Sequence, residues 1–203
     1  MKSNMILSAS GWRKVFSITN DEQDSSKNIG LENQAISVFA ALVFSDYVKE
    51  VTNKQKPTIL CGMDSRPTGS EIADATIKTL AANNVDVNFI GITAAPEIRA
   101  YSKNFDGFIY ISASHNPIGH NGIKFGLNTG GVLNGTENAK LVQKFNELCD
   151  KDDAVDYAMS ILNKANPSTV ENIYNNSPAQ KQPALLYYKN FLKETITACK
   201  DTT

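Results

Sequence analysis

The chain has 203 residues, of which 41% are hydrophobic and 20% charged, and its formal net charge is −1. This composition is typical of a globular protein with one domain or slightly more, and the absence of a basic excess argues against nucleic-acid binding. No apolar run approaches membrane-spanning length and the N-terminus lacks the apolar core of a signal peptide, so we expect a cytoplasmic protein with no membrane partner. Cys61, Cys149 and Cys199 are far apart and form no CxxC pair, which indicates ordinary reduced thiols.

Strand and helix patterns alternate along the first three quarters of the chain. The predicted helices are residues 31–50, 70–82, 97–103 and 136–148. The predicted strands are residues 58–63, 85–90, 108–112 and 122–126. Ser70 is expected to cap the second helix, and Thr136 to open the fourth. This alternation predicts a three-layer α/β/α domain with a mainly parallel sheet, formed by residues 1–149.

Residues 150–203 differ in composition from the domain that precedes them. Residues 150–156 are acidic and polar, residues 172–182 are low in hydrophobicity, and Ser168 to Glu171 has the pattern of a capping box. These features predict a boundary or linker. Beyond Pro183 an apolar stripe recurs at helical spacing: Leu185, Tyr188, Leu192, Ile196 and Cys199. Such a C-terminal helix needs a covering surface, either on the first domain or in another domain.

The loop after the third predicted strand contains the side chains best suited to chemistry. The apolar run of residues 108–111 ends in a segment of hydroxyl, imidazole, amide, Pro and Gly groups, residues 112–126. Loops at strand C-termini in α/β sheets are common sites of reacting groups, because the strand fixes their root while backbone N–H groups stay free for a ligand. The pattern therefore favours Ser114 as a reacting group at the end of a rigid strand.

Several segments in the same order resemble a known family. The run Ser112-Ala113-Ser114-His115-Asn116-Pro117, followed by Asn121-Gly122-Ile123-Lys124, resembles the active-site serine loop of the α-D-phosphohexomutases, the phosphoglucomutase and phosphomannomutase superfamily. Ser10-Gly11-Trp12-Arg13 is similar to the core of the family's opening segment, and Gly62-Met63-Asp64-Ser65-Arg66 to its Gly-x-Asp-Ser/Thr-Arg turn. The segment before Pro96 departs from the family's usual Thr-Pro. The similarity covers roughly residues 5–135.

The resemblance implies specific roles for five residues. Ser114 would be phosphorylated in the resting enzyme, and its phosphate would complete a Mg²⁺ site with aspartates of a metal loop that this chain lacks. Lys124 would transfer a proton or neutralise phosphate charge. Arg13 and Ser10 would bind the phosphoserine or a substrate phosphate. His115 would either orient a phosphate oxygen or hold the loop by a hydrogen bond, and the residues do not decide between these roles.

Other polar residues near these motifs are expected to be structural. His120 is predicted to be a solvated loop residue. Arg66, beside Asp64, is expected to fix its turn or an interdomain contact rather than touch substrate. Asn116 and Pro117 are expected to shape the loop, because an Asn-Pro step disfavours helix.

The resemblance implies the N-terminal part of an enzyme that interconverts hexose 1-phosphate and 6-phosphate through a phosphoserine and a hexose bisphosphate. Residues 150–203 would then be a linker and the start of a second domain, and the remaining domains of the same protein would be partners without which the fragment is inactive. The alternative is a naturally short, non-catalytic module that binds a phosphosugar or a protein. A Ser-His hydrolase is disfavoured because the chain has no Gly-x-Ser-x-Gly elbow. Glucose, mannose and glucosamine all stay open as the sugar.

Overall fold

A six-stranded sheet with helices on both faces forms the centre of the protein. The computed structural model describes the backbone of residues 1–200 and the side chains of residues 1–198, so the side chain of Cys199 lies outside the described part. The strands are β1 (Ile6–Ser8), β2 (Gly11–Val15), β3 (Thr58–Met63), β4 (Asp86–Ile92), β5 (Gly107–Ile111) and β6 (His120–Leu127). The helices are α1 (Gly30–Thr52), α2 (Gly69–Ala82), α3 (Ala95–Tyr101), α4 (Gly135–Cys149), α5 (Ala154–Leu162) and α6 (Pro167–Lys200), with a short 3-10 helix at Ser102–Asn104.

The predicted α/β/α architecture is confirmed, and the sheet is mixed. The strand order is β1-β2-β6-β5-β3-β4. Strand β3 runs parallel to both β4 and β5, whereas β6, β2 and β1 are joined by antiparallel pairings. The connection from β5 to β6 is a short loop without a crossover helix, and such a connection makes an antiparallel pair. The hairpin of β1 and β2 was not predicted, because its segments are short and mixed in polarity.

Each face of the sheet packs against its own layer of helices. One core joins the sheet to α1, α2, α4, α5 and the first turns of α6, and a smaller one joins the opposite face to α3 and a later part of α6. The indole of Trp12 is fully buried in the larger core. Its ring centroid lies 5.0 Å from that of Phe125 and 4.9 Å from that of Phe145, and its Nε1 donates to Asn138 Oδ1 at 2.8 Å. These contacts fix β2 in the sheet.

Most residues predicted to form a linker are helical and pack on the sheet domain. Ala158 and Ile161 of α5 are buried, and so are Val170 and Ala184 of α6. Helix α6 runs along β4, the edge strand, and shields it from solvent. Composition indicated a linker at residues 172–182 because a long and mostly polar helix such as α6 needs only a few apolar residues to pack on the sheet. The later apolar stripe is uncovered: Leu185, Leu192 and Ile196 are exposed.

Three predicted helix starts differ in detail from the structure. Ser70 lies inside α2, which begins at Gly69 without a side-chain cap. Helix α4 begins one residue before Thr136, and its capping box joins Asn134 and Glu137. At the start of α6, Asn166 Oδ1 accepts from the backbone N–H of Thr169 at 3.2 Å, so Asn166 replaces the predicted Ser168 as the cap. None of the described helices combines the length and apolar character that crossing a membrane requires.

Candidate active site

The five predicted site residues lie around one pocket at the C-terminal end of β5. The pocket has a volume of about 130 Å³. Among its lining residues are Ser10, Arg13, Ser114, His115 and Lys124. They come from the β1–β2 turn, from β2, from the loop after β5 and from β6, so the sheet assembles residues that are up to 114 positions apart in the sequence.

Ser114 is exposed at the mouth of this pocket and has a left-handed backbone, with φ of 56°. Its backbone N–H donates to Ser112 Oγ at 3.2 Å. A left-handed conformation costs a residue with a side chain roughly 1–2 kcal/mol. Such strain persists only where the surrounding structure enforces it, and it clusters at sites of function. The loop therefore holds its serine in an orientation that the backbone does not prefer.

The two histidines of the loop lie in different surroundings. His115 is exposed, and its Nδ1 lies 3.4 Å from Ser114 Oγ. Among the described residues no carboxylate bonds to His115, so a Ser-His-acid triad is not formed there. The side chain of His120 is only 18% exposed, and its Nε2 lies 3.2 Å from Glu22 Oε1. The prediction that His120 is solvated is therefore wrong: the segment before α1 covers this end of the loop.

Lys124 is half-buried on β6 and directly opposite Tyr110 of β5. Its Nζ lies 5.6 Å from the centroid of the Tyr110 ring. Burial lowers the pKa of Lys124, and the charge of Asp64 partly opposes this shift. Gly11, with φ of 140°, leaves room for the lysine stem, because a Cβ there would lie 2.9 Å from Lys124 Cγ. A lysine with a lowered pKa is neutral more often and can accept a proton.

Arg13 points away from the large core because its neighbour Trp12 points into it. Arg13 is exposed and pairs with Gly122, two residues before Lys124, so both cationic side chains share one face of the sheet. Ser10 is exposed in the β1–β2 turn, and its Oγ shares a hydrogen bond of 2.9 Å with Ser8 Oγ. The pocket therefore joins hydroxyl groups with two cations, which suits an anion such as phosphate.

Arg66, which follows β3, contacts the serine loop directly. Its Nη2 donates to the carbonyl oxygen of Ser114 at 2.9 Å, and its Nη1 to that of His120 at 3.1 Å. It also donates to the carbonyl oxygens of Asn116 and Pro117. This contact was not predicted from the sequence. The signal was present, because β3 and β5 are parallel neighbours whose C-terminal ends meet at one edge of the sheet.

The far end of the loop is held by two further segments. The backbone N–H of Gly119 donates to the carbonyl oxygen of Glu22 at 2.8 Å. A Cβ on Gly119 would lie 2.3 Å from the carbonyl oxygen of Asp21, so the two backbones approach too closely for any side chain. The buried Asn121 Nδ2 donates to Thr68 Oγ1 at 3.0 Å. Together these contacts hold the far end of the loop against the segment before α1 and the turn before α2.

The described residues do not by themselves fit a magnesium site. They contain no group of three His, Cys, Asp or Glu side chains that could hold a metal. Mg²⁺ prefers six oxygen ligands in octahedral geometry, including one or two carboxylates. Ser114 offers one oxygen, and the nearby Arg13 and Lys124 are cationic. A magnesium site here would therefore need further oxygen ligands beyond those that the described residues bring together.

The fold and the pocket define a class of α/β domain in which an exposed, strained serine loop faces cationic side chains on neighbouring strands. A sequence model described as phosphoglucomutase/phosphomannomutase, alpha/beta/alpha domain I, matches residues 6–151. The chain belongs to the phosphoglucomutase/phosphomannomutase family, as its motifs predicted.

Similar proteins agree with this assignment. A phosphoglucosamine mutase of Sulfurovum sp. (strain NBC37-1) is 37% identical over 125 residues, which are 61% of this chain and 26% of that protein. One of Dictyoglomus thermophilum is 30% identical over 153 residues, which are 74% of this chain and 29% of that protein. A putative phosphomannomutase from Thermus thermophilus has a similar fold, with a TM-score of 0.57 at 20% identity over 71% of this chain and 30% of that structure. The chain thus spans less than a third of these proteins.

Proposed function

We propose that this chain is the N-terminal, phosphoryl-carrying part of a phosphohexomutase, with Ser114 as the carrier. One observation carries the proposal: Ser114 is exposed in a strained conformation at a pocket that also contains Arg13 and Lys124. A serine hydroxyl suits the task, because its phosphate monoester survives in water and still transfers when the developing charge is stabilised.

The proposed reaction moves one phosphoryl group out and another back. A hydroxyl of the hexose phosphate attacks the phosphorus on Ser114, the bond from phosphorus to Oγ breaks, and a hexose bisphosphate forms. The proton lost by the sugar hydroxyl passes to Lys124 when its amine is unprotonated, a form that the lowered pKa makes more accessible, and is returned to the serine oxygen. The reverse transfer from the other phosphate of the bisphosphate restores phosphorylated Ser114 and releases the isomeric monophosphate. Arg13 pairs with phosphate oxygens throughout.

We propose a hexosamine phosphate as the first substrate to test, since the relatives from Sulfurovum and Dictyoglomus thermophilum are both named phosphoglucosamine mutases. Bound Mg²⁺ would neutralise charge on the transferring phosphoryl group, with the phosphate of Ser114 as one ligand and carboxylates from other domains as the rest. Those domains would also enclose the sugar, so the 203-residue chain alone should not turn over substrate.

The test is turnover of glucosamine, glucose and mannose phosphates by the full-length protein that contains this chain. Wild-type protein should interconvert the 1- and 6-phosphates of at least one of these sugars, and Ser114→Ala should abolish turnover. Ser160→Ala is the matched control, since Ser160 is exposed on α5 and away from the pocket. Undiminished turnover by Ser114→Ala would exclude Ser114 as the carrier. Phosphosugar binding without any turnover would favour the non-catalytic module.

A further inference from the structure

We propose that Arg66 is a positioning residue that holds the serine loop in the conformation needed for phosphoryl transfer and does not itself bind phosphate. This role rests on the proposed function of Ser114. Arg66 would act on Ser114 by binding the backbone carbonyl groups of its loop. The role is inferred from the hydrogen bonds of one side chain that is only 10% exposed.

All three nitrogens of this guanidinium have partners within the described structure. An arginine has one donor on Nε and two on each Nη nitrogen. Both Nη nitrogens are occupied by carbonyl oxygens of the loop, those of residues 114, 116, 117 and 120. Nε lies 3.5 Å from Oδ2 of Asp64, and Oδ1 of the same carboxylate accepts from the backbone N–H of Arg66. The side chain is therefore fully engaged before any substrate enters.

The loop is wrapped around this one cation. Four carbonyl groups within seven residues point at the same guanidinium, an arrangement that an extended or helical segment cannot adopt. One of the four belongs to Ser114, whose left-handed φ of 56° needs support from its surroundings. Removal of the guanidinium would leave these acceptors without their donors and release the constraint on the serine backbone.

These contacts give Arg66 a different role from those of Arg13 and Lys124. Arg13 and Lys124 line the pocket, whereas Arg66 does not, and its donors are already used. Loss of Arg66 should therefore weaken catalysis through a misplaced Ser114, with little effect on substrate binding. A lysine cannot replace it, because an ammonium group has three donors and no planar fork.

The experiment compares Arg66→Lys and Arg66→Ala with wild type in the full-length protein, and uses Arg99→Lys as the matched control. Arg99 is exposed and makes a single carbonyl contact, from Nε to Gly130 at 2.8 Å. Misplacement of a reacting group by about 1 Å costs on the order of 100-fold, so kcat should fall about 100-fold in both Arg66 variants while KM changes less than about threefold. Added guanidinium at millimolar concentration should partly restore kcat in Arg66→Ala and not in Arg66→Lys.

A second readout does not depend on turnover. The amides of Asn116 and His120, which donate to carbonyl oxygens inside the loop, should exchange hydrogen about tenfold faster in Arg66→Lys, while those of α1 keep their wild-type rates. Unchanged exchange of the loop amides, or a raised KM with an intact kcat, would overturn the positioning role. A wild-type protein that binds no sugar phosphate and turns none over would instead refute the proposed function, and the exchange result would still decide the role of Arg66 in the loop.

Discussion

The ion pair between Lys181 and Glu97 provides a direct test of whether α6 is part of the folded domain. Lys181 Nζ lies 2.6 Å from Glu97 Oε1, and the two side chains are 23% and 6% exposed. The pair joins α6 to α3 in a region whose composition resembled a linker. Lys181→Met keeps most of the apolar stem and removes the charge, which leaves a buried carboxylate without its partner.

The expected cost follows from the burial of the pair. Removal of one partner of a fully buried pair costs roughly 3–5 kcal/mol, and the partial exposure of Lys181 reduces our expectation to about 2 kcal/mol. For a chain of this length that corresponds to a melting temperature lower by about 4–8 °C. Urea unfolding followed by circular dichroism measures the free energy directly.

The matched control is Lys144→Met, which removes a pair with Glu50 in which the side chains are 50% and 59% exposed. An exposed pair contributes less than about 1 kcal/mol, so this variant should unfold near the wild-type midpoint. Equal losses of unfolding free energy in the two variants would refute this expectation, because they would mean that Lys181 of α6 is not buried against Glu97 of α3.

Three other substitutions test the site and its supporting loop. Gly119→Ala, which forces a Cβ to within 2.3 Å of the Asp21 carbonyl oxygen, should destabilise by about 2 kcal/mol in thermal unfolding, whereas Gly135→Ala, with open space around its Cβ, should not. Because folded Lys124 releases its proton below the ordinary pKa of 10.5, the unfolded chain binds more protons between the two pKa values and wild-type stability rises there with pH. Lys124→Met should remove that rise in unfolding measured over the pH range below and up to 10.5, and parallel curves would contradict the lowered pKa. Ser114→Gly should be more stable than Ser114→Ala by about 1 kcal/mol, because glycine adopts the left-handed backbone without strain, and the reverse order would contradict that conformation.

The elements that could be predicted from the sequence are those with a strong local signal. Strand β3 matches its predicted bounds, because an uninterrupted apolar run follows Pro57 and ends before a polar turn. Helix α1 was predicted within two residues at each end from its apolar periodicity. The site residues were predicted from motifs in the correct order, and the structure places them around one pocket.

The features that were not predicted depend on contacts that are distant in sequence. The β1–β2 hairpin is short, and only the burial of Trp12 against Phe125 and Phe145 shows why it joins the sheet. Helix α5 is short and follows an acidic segment, and the middle of α6 is polar with few buried residues, so composition alone predicted a linker at residues 150–156 and 172–182. Arg66 was expected to fix its own turn or an interdomain contact, and its contacts with the serine loop were missed because those partners lie 48 to 54 residues further along the chain.

The proposed carrier role requires that Oγ of Ser114 accept a phosphoryl group from a hexose bisphosphate. The most direct measurement is incubation of the full-length protein with hexose 1,6-bisphosphate labelled with radioactive phosphorus, followed by peptide mapping. We expect one labelled phosphate per chain on the peptide that contains Ser114, and its loss on chase with unlabelled hexose monophosphate. Label on another residue, or none above the level of Ser114→Ala, would contradict the proposed role of Ser114.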